Sequence, residues 1–71
     1  MNNIIDGLAI FKDISFKLES VKEYYASETA LGSALMSIKL KQGSTLILEA
    51  YDLNEKAILI EIEIELKKIF K

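Results

Sequence analysis

A run of isoleucine and glutamate near the carboxyl end constrains the fold more than any other part of the sequence. Branched apolar residues occupy every second position of this run: Ile58, Ile60, Ile62, Ile64 and Leu66. Alternation with period two is typical of a half-buried β-strand, and isoleucine favours strands. A strand here would pair with Met36–Lys41 and Thr45–Tyr51 as a three-stranded antiparallel meander, preceded by an amino-terminal helix.

The same run also fits a helix that extends from Thr45 to about Phe70. At helical spacing, the apolar residues of this half form two stripes on nearly opposite sides. One stripe comprises Leu46, Ala50, Leu53, Ala57, Ile60 and Ile64, and the other comprises Leu48, Tyr51, Ile58, Ile62, Leu66 and Ile69. The helix also explains the good helix formers around Ala50 and Ala57, which a strand does not. The sequence therefore favours a helix over a strand.

The first half of the chain has apolar residues spaced by three and four positions: Ile4, Leu8, Phe11, Ile14, Leu18, Val21 and Tyr25. A mean spacing of about 3.5 residues is typical of helices that pack along their length. Lysines before Gly43 and a serine after it indicate the end of one helix and the start of another. We predict a helix over about residues 3–41, either continuous or broken near 26–28, a turn at 42–44 and a helix over about 45–70.

The predicted fold class is all-α, an antiparallel helical hairpin that forms a single domain over residues 1–71. The alternative is an α+β fold with an amino-terminal helix and the three-stranded antiparallel meander. A chain of 71 residues buries only a small core, and without cysteine it has no disulfide to strengthen that core. Because 51% of the residues are hydrophobic, association with another chain is the remaining way to bury them.

A hairpin covers only one of the two apolar stripes on its second helix. An apolar patch that stays exposed usually marks an interaction site. We predict that the stripe containing the small alanines binds a partner, because small residues permit close approach of another helix. The predicted partner-binding residues are Leu46, Ala50, Leu53, Ala57, Ile60 and Ile64. The bulkier Ile58, Ile62, Leu66 and Ile69 are expected to pack within the hairpin.

Composition argues against several other functions. There is no histidine or cysteine, so we predict no catalytic residues, no cofactor, no metal site and no enzymatic activity. Glu61, Glu63 and Glu65 form the only acidic cluster, and on a helix they do not share one face. All nine basic residues are scattered lysines, which disfavours nucleic-acid binding. Since no run of 18 apolar residues and no basic amino-terminal region occur, we expect a cytoplasmic protein without membrane insertion or signal peptide.

One segment resembles a known family. Gln42–Ala50, which contains Thr45-Leu46-Ile47-Leu48-Glu49-Ala50, is followed by polar residues and then by the aliphatic Ala57–Leu66. This arrangement is similar to the small co-chaperones of type III secretion needle proteins, of the YscE, EscE and SsaE type. The resemblance implies an antiparallel helical hairpin that binds a helical-repeat chaperone in the bacterial cytoplasm. Together the two chaperones would keep the needle subunit soluble before export, without any catalytic residue.

Two other functions fit the same composition. The chain is compatible with a small inhibitor or regulatory binding protein of the phage or plasmid type. It is also compatible with a structural homodimer. In each case the partner is a protein, either another chain or a second copy of this one.

Overall fold

A computed structural model describes residues 3–28 and 32–70. These residues form β1 (Ile4–Ile5), β2 (Leu8–Phe11), β3 (Ile14–Lys17), β4 (Val21–Glu28), β5 (Ala34–Leu40), β6 (Thr45–Ala50) and α1 (Leu53–Ile69). A single turn of 3₁₀ helix lies between β3 and β4. Strands β1, β2 and β3 form one antiparallel sheet in that order, and β4, β5 and β6 form a second. The described part of the chain is therefore an α+β fold in which the helix comes last.

Two tight turns shape the first sheet. Asp6 and Gly7 both have positive φ, at 50° and 79°, and they connect Ile5 to its cross-strand neighbour Leu8. Two consecutive residues with positive φ suit the right-handed twist of a β-hairpin, and Asp-Gly is a preferred pair for this purpose. Lys12, with a φ of 56°, opens the second turn, which connects β2 to β3.

The second sheet is a meander of longer strands. Residues 41–44 connect β5 to β6, and the Gly43 amide donates a hydrogen bond of 2.9 Å to the Leu40 carbonyl. The Leu40 amide in turn donates to the Ser44 carbonyl, which closes the turn. The register of β4 against β5 shifts between Val21 and Glu23. Because the strand order is β4-β5-β6, β4 lies at one edge of this sheet and β6 at the other.

Helix α1 begins with a side-chain cap. The Asp52 carboxylate accepts a hydrogen bond of 2.8 Å from the Glu55 amide, one of the donors that an uncapped helix start leaves unsatisfied. Lys67 and Lys68 lie in the last turn, where positive charge is favourable. The helix packs against β6, β2 and the 3₁₀ turn.

One hydrophobic cluster joins both sheets and the helix. Alternate residues of the strands point into it, together with one face of α1. Its members are Ala9, Phe11, Phe16, Leu18, Val21, Met36, Ile38, Leu40, Leu48, Ala50, Leu59, Ile62 and Leu66. The two sheets are therefore stabilised by shared burial rather than by separate cores.

The predicted all-α helical hairpin is wrong. The predicted first helix, over about residues 3–41, is occupied by strands β1 to β5 where the structure describes it, and residues 29–31 lie outside the described residues. In each strand every second residue points inward, but across the two-residue turns at Asp6-Gly7 and Lys12-Asp13 the inward positions change from even to odd numbers or back. Apolar residues on either side of a turn are therefore separated by odd intervals, and the overall spacing resembles that of a helix. Within each strand the alternation is regular, as at Ala9 and Phe11.

The second predicted helix is partly right. Residues 57–66 are helical, so the helix interpretation of the isoleucine run is confirmed, but the helix begins at Leu53 and not near residue 45. The segment before it is strand β6, as the alternative fold had predicted for Thr45–Tyr51. That alternative is also right in its α+β class and in placing a strand at Met36–Lys41, which overlaps β5. It is wrong in two other parts. The third strand of the meander is β4 rather than residues 57–66, and the helix follows the sheets instead of preceding them.

Candidate functional site

Helix α1 has two apolar faces that point in opposite directions. Leu59, Ile62 and Leu66 are buried against the sheets. Four apolar residues on the far side are exposed, and we call them the outer face: Leu53, Ala57, Ile60 and Ile64. With about 100° between successive residues, these four lie within a sector of about 60°. Leu53, Ile60 and Ile64 are 83%, 57% and 51% exposed, which is unusual for three large aliphatic residues on one helix face.

The structure brings together four of the six predicted partner-binding residues. Leu53, Ala57, Ile60 and Ile64 make up the outer face. Leu46 and Ala50 do not join them, because they belong to β6, whose alternate side chains point into the core. Ala50 is fully buried, and Leu46 is half-buried against the core cluster. The predicted stripe is therefore split where the strand ends and the helix begins.

The second predicted stripe is likewise divided between β6 and α1. Ile62 and Leu66 are buried and Ile58 packs at the edge of the core. Ile69 remains about half exposed near the end of the helix, beside a cleft that β1, β2 and the 3₁₀ turn also line. Ile58, Ile62 and Leu66 do pack within the molecule, but against β-sheets and not against a second helix. Ile69 does not join them in the core.

Charged residues border the outer face on both sides. Lys56 and Glu63 lie along one border, and Glu61 and Lys68 lie along the other. Lys68 forms an ion pair of 3.0 Å with Glu65, and the Lys56 ammonium donates a hydrogen bond to the Gly32 carbonyl. A central apolar strip with a charged rim is the usual arrangement of a protein–protein contact.

A groove adjoins this face on the side of Lys56 and Glu63. It has a volume of about 430 Å³ and separates α1 from the adjoining ends of β4 and β5. Ile60 and Leu59 line it from the helix, and Ala26, Ala34 and Met36 line it from the sheet. Because Ala26 is small, the inner side of β4 leaves this space open. The groove was not predicted from the sequence, since it depends on residues 21–28 forming an edge strand.

A polar cluster holds the start of the helix against the first sheet. The Lys12 ammonium lies 3.1 Å from the Glu55 carboxylate and also donates to the Glu49 carbonyl. The other oxygen of Glu55 accepts from the Tyr51 amide at 2.8 Å, and the Tyr51 hydroxyl donates to the Glu49 carboxylate. Lys12 also lies over the Tyr51 ring. This cluster therefore links the β2–β3 turn to α1 and fixes the direction of the outer face.

The same cluster changes the pKa of two groups. The Tyr51 amide, followed by the Lys12 ammonium, lowers the pKa of Glu55 below its ordinary value of 4.5. The Glu49 carboxylate accepts a hydrogen bond from the Tyr51 hydroxyl, and this bond together with the negative charge of Glu49 raises the pKa of that phenol. The exposed Tyr51 hydroxyl and the half-buried Glu55 carboxylate both have hydrogen-bond partners within the cluster, so the cluster is suited to holding the helix in place.

The pKa of Glu55 predicts how stability depends on pH. Since this pKa is lower in the folded chain, the ionised carboxylate stabilises the fold above its ordinary pKa, and that contribution is lost as the pH falls through the lowered value. Glu55→Gln should therefore destabilise the protein at neutral pH and have less effect in acid. Urea denaturation at neutral pH and at about pH 3 measures this difference. The matched control is Glu61→Gln, an exposed glutamate on the same helix, and an equal loss for Glu55→Gln at both pH values would contradict the prediction.

The three glutamates of the acidic run do not converge. Successive members are two residues apart on α1, so they point about 200° away from each other. No group of three potential metal ligands occurs among the described residues. A helix with the length and hydropathy of a membrane span is likewise not found there.

Comparison with known proteins gives no family. No family model, no curated protein and no solved structure matches this chain. The candidate site therefore rests on the geometry of α1 and its surroundings.

Proposed function

We propose that this chain is a non-catalytic binding protein that acts through the outer face of α1. The observation that supports the proposal is the exposure of Leu53, Ile60 and Ile64 on one side of a helix whose other side is anchored in the core. Burying an aliphatic side chain of this size contributes about 1.5–3 kcal/mol. A partner that covers all three side chains therefore gains substantial free energy without distorting the fold.

The mode of binding expected for this surface is packing against a helix or a shallow apolar groove of another protein. Aliphatic residues that follow one another by three and four positions are the usual anchors of that mode. A helical-repeat chaperone is one partner of this kind. The narrower proposal is that the two proteins act in the cytoplasm and keep a needle subunit soluble. The hairpin that accompanied the resemblance to needle-protein co-chaperones is not supported, so the proposal rests on the helix face alone.

Site-specific photocrosslinking in the native cells tests this proposal. A photoreactive amino acid in place of Ile60 should form a covalent adduct with a protein chain, because that position lies in the centre of the outer face. The same amino acid in place of Ile69 is the matched control, since Ile69 is a similarly exposed isoleucine about 180° away on the same helix. The proposal fails if position 60 forms no adduct, or forms none beyond those seen from position 69.

A further inference from the structure

We infer that the partner on the outer face is a second copy of this chain, with the two α1 helices packed antiparallel about a two-fold axis. The inference rests on the proposed function in that it uses the same surface. It goes further by naming the occupant and the orientation. Three observations carry it: the order of large and small residues along the outer face, the order of charges beside it and the position of Lys67.

The apolar residues of the outer face are complementary to themselves in an antiparallel pair. They follow one another by four, three and four positions, which is the spacing of two helices that pack side by side. In the antiparallel alignment Leu53 lies opposite Ile64 of the second copy, and Ala57 lies opposite Ile60. In each of the two central contacts, the small Ala57 of one copy therefore faces the large Ile60 of the other. At each end of the interface, two large residues meet. The contact extends for about 16 Å along each helix.

The charges beside this face are complementary in the same alignment. Lys56 and Glu63 lie seven residues apart on one border, so the two-fold axis brings each Lys56 next to Glu63 of the second copy. Two equivalent ion pairs result. On the other border Asn54 approaches Glu61 of the second copy, so no like charges meet.

The residues that would form these pairs are not committed to other ion pairs. The ion pairs among the described residues are Lys12–Glu55 and Lys68–Glu65. Lys56 donates one hydrogen bond, to the Gly32 carbonyl, and an ammonium has three donors. Lys56 can therefore keep this bond while it meets a carboxylate from the second copy.

A parallel pair is less favourable at the carboxyl end of the contact. In that orientation the next position of the apolar stripe, Lys67, would meet Lys67 of the second copy. Lys56 would face Glu61 and Glu63 would face Lys68, so these borders would remain attractive. The antiparallel pair avoids the contact between lysines, because helix α1 of the second copy begins at Leu53 and no lysine of that copy lies opposite Lys67. The two orientations therefore assign different partners to Lys56 and Glu63, and charge exchange separates them.

The contact involves one helix face from each copy, which is small for a stable dimer. The chain should therefore be a monomer when dilute and a dimer when concentrated. Sedimentation equilibrium over a concentration series should show the mass rising from 8.0 kDa towards twice that value. Ile60→Glu should abolish the rise, whereas Ile69→Glu, on the opposite side of α1, should retain it. A wild-type chain that stays monomeric throughout, or an Ile60→Glu variant that still dimerises, would overturn the inference.

Exchange of the border charges tests the orientation. Lys56→Glu or Glu63→Lys alone places like charges together at both ends of an antiparallel pair, and each should weaken dimerisation at least about tenfold. The double variant Lys56→Glu/Glu63→Lys restores both pairs and should recover the affinity to within a few-fold. In a parallel pair the same double variant would dimerise least, because its new charges meet Glu61 and Lys68 of the second copy. That result would overturn the antiparallel arrangement.

Circular dichroism of each variant confirms that a loss of dimer is not a loss of fold. Failure of this inference is distinguishable from failure of the proposed function. If the wild-type chain is monomeric while crosslinking from position 60 yields adducts with a different protein, the second copy is excluded and the binding surface is retained. If neither experiment detects a contact, both are wrong.

Discussion

Replacing Ile62 with alanine is expected to lower the free energy of unfolding by about 2–5 kcal/mol, whereas the same replacement at Ile60 or Ile64 should change it by much less. Ile62 is completely buried between α1 and the sheets, so its removal leaves a cavity. The other two are more than half exposed on the outer face. The three isoleucines are separated by two positions each, which makes them matched controls for one another.

Urea denaturation of the three variants measures this difference, at concentrations low enough for the chain to be a monomer. A strand over residues 57–66 would place all three isoleucines on the same side and give similar losses. Equal losses would therefore contradict the helix and the two-faced surface derived from it. For a domain of this size the expected loss at Ile62 is a large part of the total stability.

Replacing Phe11 with alanine is expected to lower the free energy of unfolding by about 3–5 kcal/mol. Phe11 lies on β2 and is buried in the cluster that joins the two sheets and α1. Because the cluster is shared, the loss should destabilise the second sheet as much as the first. The matched control is Phe70→Ala, since Phe70 is a partly exposed phenylalanine that stacks at a tilted angle on Tyr24.

The native tyrosines make this test sensitive to cooperativity. Tyr24 and Tyr25 lie on β4 and Tyr51 follows β6, so tyrosine fluorescence reports on the second sheet and its junction with α1. In the Phe11→Ala variant, the transition followed by tyrosine fluorescence should move together with the one followed by circular dichroism. A first sheet that unfolds alone, with the tyrosine transition unchanged, would contradict a shared core. Phe11→Leu allows the same comparison with a smaller loss if the alanine variant does not fold.

Part of the first sheet was accessible to sequence analysis. Asp6-Gly7 stands between two apolar segments, and that pair is among the strongest local signals for a β-hairpin. The helix over about residues 3–41 was predicted from the spacing of three and four alone, and the Asp-Gly signal was not used. Short strands joined by two-residue turns give nearly the same mean spacing as a helix, so spacing alone could not distinguish them. Within Leu8–Phe11, the alternation of half-buried and buried residues has period two.

The candidate site was predictable to the extent that it lies within one helix. Leu53, Ala57, Ile60 and Ile64 are neighbours on α1, and helical geometry alone places them on one face. Leu46 and Ala50 continue the same spacing in the sequence, but β6 ends before the helix begins and turns both inward. Local spacing could not locate that boundary. Asp52 and Glu55 were its best signal, since an acidic cap followed three residues later by glutamate is typical of a helix start.

The sequence by itself favoured the helical character of residues 57–66, and with it the two apolar faces of that helix. These follow from residue spacing and composition, which act over one or two helical turns. Only the tertiary structure decided which apolar face is buried, where strand β6 gives way to α1 and how Lys12 holds the start of the helix. Those outcomes depend on contacts between segments that are distant in sequence. The free energy that stabilises these contacts comes from burial in a shared core, which a local sequence pattern cannot reveal.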